Sequence, residues 1–288
     1  MRNPYDTWRQ ADRVKMPGEP EDPDEVGNKP GASWLERTSK PKSPLYTILL
    51  LVAIMAGVIA YTSGDPRRAI SIAPPWQPGE VILLNLCDSH GELIAPWELS
   101  VDSDGSSIVF TSDQRGVGYH EHSTVSADRD TLVPNRTELT YESERGRVEY
   151  TAAYGESSVT IQSSLPIGDE EAAIDLPDSP YFDNEQLLMV IRALPLKRGY
   201  KATLRDVITR AAMNTSITLR VVRKEKLEVP AGSFEAWKVD LKGTGRTVWI
   251  ATSEPHPIVK YEDRKAQTTA ELVQYTPGRK PAASVEAE

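Results

Sequence analysis

"EVPAGSFEAWKVDL", residues 228–241, decides how the rest of the chain is read. Pro230 suits position i+1 of a turn, and Gly232 is free to take a positive φ. Beyond the turn, Trp237, Val239 and Leu241 recur at every second position, the period of a strand with one buried face. Just before it, "SITLRVV" (216–222) puts Ile217, Leu219 and Val221 on one face in the same way. Two alternating runs around a Pro-Gly turn make a hairpin. The same letters raise a second reading, with Ser233 as a nucleophile. A nucleophile elbow needs G-x-S-x-G on a strand-to-helix turn, whereas here A-G-S-F-E leads into a strand. The hairpin explains every residue of the motif, and no catalytic residue is assigned.

Outward from the hairpin the pattern repeats. Further strands are expected at 80–87, 96–103, 106–112, 115–124, 137–142, 146–153, 157–163, 246–252, 258–263 and 267–275. Asp104-Gly105, Glu144-Arg145-Gly146, Gly243-Thr244-Gly245 and Pro255-His256-Pro257 separate them as turns. Strands in sequence joined by short turns imply a mostly antiparallel meander. One segment differs. "DNEQLLMVIRALPL" has Asp183 as N-cap with Gln186 three residues on, a capping box. Leu187, Leu188, Ile191 and Leu194 share a helical face, and Pro195 ends the helix. The fold class is α+β and mostly β: a curved antiparallel sheet, open or a partial barrel, with one helix packed on it.

The N-terminal part reads differently. Residues 1–44 hold seven prolines, eight basic and eight acidic residues, and too little apolar surface to offset the entropy of ordering. They are expected to form a disordered polar tail. "LYTILLLVAIMAGVIAYT" (45–62) carries no charged side chain. As a helix its length is roughly 27 Å, close to the hydrocarbon thickness of a bilayer. Tyr46 and Tyr61 stand at its ends, where interfacial aromatics belong. A single transmembrane helix is expected. Arg37, Lys40 and Lys42 outnumber Arg67 and Arg68 across it, which puts the N-terminus in the cytoplasm and the C-terminal domain outside. Residues 63–79 read as a Pro-rich spacer, 80–276 as the β-rich extracytoplasmic domain and 277–288 as a disordered C-terminus.

Composition and motifs exclude several functions. The net charge of -9, without a basic run, argues against nucleic acid. Cys87 is the only cysteine, so no intrachain disulfide forms, and its default role is a small buried or half-buried thiol. Neither a Walker phosphate loop nor an HExxH zinc signature is present. His120 and His122, at i and i+2 of a strand, share a face, but two ligands make no metal site and none is assigned. Asp102-Ser103-Asp104-Gly105 begins like a calcium loop, lacks its later ligands and reads as a turn. The acidic stretch 169–185 reads as a solvated loop. Arg192, in the helix beside Leu188 and Met189, is expected to pair with a carboxylate, either as a structural ion pair or to orient a ligand.

"RALPLKRGY" (192–200), "VVRKEKLEVPAGSFEAWKVDL", "RTVWIATSEPHPIVKYED" and "TAELVQY", in this order, resemble the bacterial domain-of-unknown-function 3108 family. The resemblance is good from about 181 to 275 and looser from about 80 to 180. It implies a bacterial envelope protein, with a design similar to lipoprotein-carrier-like folds in which a sheet wraps a helical plug and can hold an acyl chain. The family supplies no catalytic residues. The expected function is therefore non-enzymatic binding of an apolar or amphiphilic, lipid-like ligand against Trp237, Leu188 and Ile191, with no cofactor. The alternative is a protein-interaction or assembly module with an envelope partner. If residues 45–62 remain as an anchor, the chain recovered from the membrane fraction begins at Met1 on N-terminal sequencing. A chain starting near Tyr61 would mean cleavage after Val58-Ile59-Ala60.

Overall fold

Each short turn returns the chain beside the strand it has just left, so the sheet grows one neighbour at a time. The computed structural model describes residues 71–176 and 180–279, and fifteen strands there form one sheet. The first run comprises β1 (Glu80–Cys87), β2 (Leu93–Asp104), β3 (Ser107–Gly116), β4 (Tyr119–Asp128), β5 (Pro134–Ser143), β6 (Gly146–Tyr154), β7 (Ser158–Leu165) and β8 (Gly168–Asp175). The second comprises β9 (Tyr181–Asp183), helix α1 (Leu187–Arg192), β10 (Lys201–Ile208), β11 (Met213–Val229), β12 (Gly232–Lys242), β13 (Arg246–Ala251), β14 (Ile258–Asp263) and β15 (Thr268–Thr276). The two runs join where β1 pairs with β15, leaving β8 and β9 as the edges. The expected curved, mostly β architecture with one helix is thus present.

The sheet is antiparallel, as expected for most of it, except at one pair. β9 runs parallel to β10, because α1 lies between them and acts as the crossover that parallel neighbours require. Three strands were missed: the three-residue β9, which falls in the stretch expected as a loop, and two longer strands for separate reasons. β10 buries Asp206 beside Leu204 and Val207, so a carboxylate interrupts its apolar pattern. β8 lies inside the acidic stretch expected as a loop, an edge strand with Asp169, Glu170, Glu171 and Asp175 all exposed. Charged side chains on an edge discourage uninvited strand pairing.

Alternation sets the core. Ile82 and Leu84 of β1, Trp97, Leu99 and Val101 of β2, Leu219 and Val221 of β11, and Val239 and Leu241 of β12 all enter one hydrophobic cluster. α1 lies within that cluster. Leu187, Met189, Val190 and Ile191 are all buried, so the helix is enclosed on most sides rather than laid on one face of the sheet. Leu188 is the half-buried exception. The capping box forms only in part. Asp183 caps a 3₁₀ turn at Asn184–Gln186 through Glu185 N, while Gln186 turns away and donates from Nε2 to the carbonyl of Leu132. The end of the stretch expected as a spacer is also core: Trp76 is buried, edge-to-face with Phe110 at 5.4 Å, and Ala73 N donates to the carbonyl of Ala193.

The sheet curls until edge strand β9 meets the first run. Its Asp183 is fully buried and accepts from Thr137 Oγ1 on β5 (2.8 Å), Tyr154 OH on β6 (2.5 Å) and Thr209 Oγ1 beyond β10 (2.6 Å). Beside it, Ala152, Val159 and Ile161 of β6 and β7 pack on Val207 of β10 in a second, smaller core. Side chains, not ladder hydrogen bonds, close this seam. The expected tail (1–44), transmembrane helix (45–62) and most of the C-terminus lie outside the described residues. Among the described residues no helix is long and apolar enough to cross a membrane.

Removing the seam's central acceptor leaves three buried hydroxyls and a helix-entry amide short of a partner. Asp183→Ala is expected to lower unfolding stability by about 3 kcal/mol or more in denaturant titration, and Asp183→Asn by less.

Candidate functional site

The residues expected to line a ligand do not share one environment. Trp237 faces inward with Val239 and Leu241, pairs across the sheet with Ile250, and stays half-buried against the main core. Ile191 is wholly enclosed, while Leu188 is half-buried. Around the filled core lies a fringe of partly exposed apolar groups that includes Tyr200, Leu196 and Phe234 with Trp237 and Leu188. The hairpin motif reaches this fringe. Its tip donates from Ala231 N to the carbonyl of Leu272 on β15, while Ser233 sits exposed opposite Glu228 as a turn residue.

Arg192 belongs to the structural alternative. Its side chain is fully buried, and Nη1 lies 2.6 Å from Oε1 of Glu80, which is also buried. Nε donates to the carbonyl of His256, Nη2 to that of Pro255, and Trp76 covers the guanidinium at 5.5 Å. Tyr275 OH donates to the other Glu80 oxygen at 2.8 Å, and burial with that carboxylate pushes the phenol well above its ordinary pKa. The planar fork is satisfied in several directions at once, which a lysine could not do.

A second polar cluster fills the seam. Arg210 grips Glu121 of β4 with two bonds, Nη2–Oε1 at 2.5 Å and Nη1–Oε2 at 3.0 Å, and lies 3.3 Å from Oε1 of Glu185. Burial raises the Glu185 carboxyl despite Arg210. Asp206, fully buried, accepts from Asn184 Nδ2 at 2.9 Å, and its Oδ1 has no hydrogen-bond partner. Burial lifts its carboxyl to about 7, against the lowering pull of Asn184 and Arg246. Sequence reasoning missed this cluster, because its members come from β4, β5, β6, β9 and β10. The only local signal was the capping residue Asp183.

The remaining candidates are dispersed over β1 to β4. Cys87 is half-buried, and burial and the nearby carboxylates of Glu271 and Asp88 raise its thiol, so it is not an activated nucleophile. Asp104-Gly105 is a tight turn between β2 and β3, with Gly105 at φ 56°. His120 and His122 do share the outer face of β4, and Asp113 of β3 stands across from them. Burial alone would raise the Asp113 carboxyl, but hydrogen bonds from both histidines outweigh it and hold it below the usual range.

The family model for DUF3108, described as a protein of unknown function, matches residues 91–269, more than half of the 288. The chain belongs to this family. No curated protein matches it. Among solved structures, it is similar to a β-barrel-like protein of the DUF1849 domain from Brucella abortus, at 12% identity and TM-score 0.45 over 72% of this chain and 100% of that one. A candidate exported protein with a YmcC-like fold from Bacteroides fragilis aligns at 15% identity and TM-score 0.25, over 72% and 99%. A candidate lipoprotein from Parabacteroides distasonis aligns at 15% and 0.28 over the same shares. These likenesses are too distant to carry function.

Asp206 gives the fold a signed pH dependence. Its folded value lies above that of an unfolded aspartate, so between about pH 4 and 7 the folded state binds more protons. Its contribution is full below that window and is lost as pH rises through it. Chemical denaturation from pH 4.5 to 7.5 is expected to show wild-type stability falling relative to Asp206→Asn, by on the order of 3 kcal/mol.

Proposed function

We propose that this chain is a non-enzymatic binding domain of the bacterial envelope that takes an amphiphile, with residues 45–62 as its membrane anchor. The observation supporting this is the half-buried apolar fringe of Trp237, Phe234, Tyr200, Leu188 and Leu196 around an otherwise filled core. Apolar groups that pack on a core yet stay partly in water gain further burial when an acyl or sterol-like surface covers them. Trp and Tyr suit that boundary, because an apolar ring and a polar tip can serve the two ends of an amphiphile. Asp183, Glu121 and Glu185 of the seam are engaged in hydrogen bonds within the fold, and Asp206, which keeps one unpartnered oxygen, is fully buried away from any substrate, which favours binding over acid–base chemistry. Ile191, being enclosed, supports the fringe from beneath rather than touching the ligand.

The docking-module reading has its own support in β8, an exposed edge strand that a partner strand could extend. Its acidic side chains would demand a basic partner, so the fringe is the stronger basis.

Mass spectrometry of small molecules released on denaturing the purified full-length chain tests the proposal. Lipid-like species are expected from wild type and are expected to fall several-fold in Trp237→Ala and Leu188→Asp. Their absence from wild type, with protein adducts dominating in-cell crosslinking, would instead favour docking through β8.

A further inference from the structure

We infer that Asp113, His120 and His122 form a binding site for a divalent transition metal of the zinc class, on the outer face of the sheet. Their ligand atoms all lie within 4.8 Å of one another. His120 Nε2 is 2.7 Å and His122 Nδ1 3.0 Å from the same carboxylate oxygen, Asp113 Oδ2. Two imidazoles and a carboxylate, each half-buried, are the nitrogen and oxygen donors that zinc takes at about 2.0–2.2 Å. Ligands at that radius in a tetrahedron sit roughly 3.3 Å apart, so the two imidazole–carboxylate distances need widen by only a few tenths of an ångström, while the imidazole nitrogens, within 4.8 Å of one another, close by rotation of partly exposed side chains. Magnesium and calcium, which prefer all-oxygen shells, fit these donors poorly.

The backbone holds the site in place. Asp113 pairs with His122 and Arg115 with His120 across the β3–β4 ladder, so the three ligands project from adjacent strands in fixed register. The same outward face carries exposed Glu98 on β2, opposite Asp113, and Glu142 on β5, opposite His120. Three protein ligands leave a fourth position for water or one of these carboxylates.

The two contacts of the His120 ring nitrogen are mutually incompatible. Nε2 lies 2.7 Å from an acceptor, Asp113 Oδ2, and 3.3 Å from a donor, Arg115 Nη2. One ring nitrogen cannot donate to the first and accept from the second at once. A metal resolves the conflict by taking the lone pair of neutral His120 and the charge of Asp113, while exposed Arg115 swings into solvent. The chain has only four histidines and one cysteine, and His256 Nδ1 is engaged with the carbonyl of Ala251. A site elsewhere would be hard to assemble, so stoichiometry is diagnostic.

The test is calorimetric titration of the full-length chain, without a polyhistidine tag, with zinc chloride, and with cobalt(II) chloride followed by visible absorption. One metal per chain is expected, together with a cobalt band of a low-coordinate nitrogen–oxygen site. His120→Ala, His122→Gln and Asp113→Ala should each weaken zinc at least about tenfold, the scale on which even outer-shell changes act. Each variant should keep the wild-type circular-dichroism spectrum, because the side chains are partly exposed. Arg115→Ala should bind zinc as tightly as wild type or more so. Absence of saturable binding by wild type, retention of wild-type affinity in His122→Gln, or weakening in Arg115→Ala would overturn the assignment.

Discussion

The buried pairing of Arg192 with Glu80 is the interaction around which the rest of the domain is arranged. An unpaired guanidinium in that position would be very costly, so the fold must deliver a carboxylate and several carbonyls to one point. Glu80 comes from the first strand, the carbonyls of Pro255 and His256 from the turn between β13 and β14, the phenol of Tyr275 from the last strand, and Trp76 from the segment before the sheet. These are the places where the two meanders join and where the helix docks. Two of the stretches that carry the family resemblance, RALPLKRGY and RTVWIATSEPHPIVKYED, lie far apart in sequence and meet at this guanidinium.

Much of the architecture was legible because alternation is local. The strands 80–87 and 258–263 emerge with their own boundaries, and the turns at Asp104-Gly105 and Pro255-His256-Pro257 fall where their residue types place them. Reading failed where the interior is polar. Asp206 hid β10, and the acidity of β8 concealed an edge strand whose charges serve a negative purpose. The helix was visible, but its enclosure was not: amphipathicity reports the first face buried, and curvature of the sheet around α1 supplied the others. Gln186 illustrates the limit, since the residue suited to a capping box was drawn to the carbonyl of Leu132, 54 positions away. Of the candidate residues, His120 and His122 were evident as a pair on one face. Their third companion, Asp113, required the β3–β4 register.

Inside and outside divide their chemistry. The interior holds most of its charges in paired networks, Arg192 with Glu80 and Arg210 with Glu121 and Glu185, which fix geometry, and leaves one oxygen of buried Asp206 without a partner. The outer face is not merely solvated. Trp249 lies there in a small satellite core with Ala236, Ala251 and Val259, its ring 4.7 Å from Lys238 Nζ and its Nε1 donating to Glu225. Buried residues therefore occur on both faces of β13, as its near-continuous apolar sequence requires. In the reading proposed above, binding falls to the half-exposed fringe and the histidine-bearing strand.

The seam at Asp183 carries a last implication. In a barrel closed by its ladder, opening means breaking a row of backbone bonds. Here the closing contacts are hydroxyls on one carboxylate, a bidentate arginine and a few methyl groups, so the two halves can part while every strand keeps its neighbours. Such a boundary is the natural plane of least cooperativity, and amide exchange would find the cylinder unrolling like a scroll before any strand is lost.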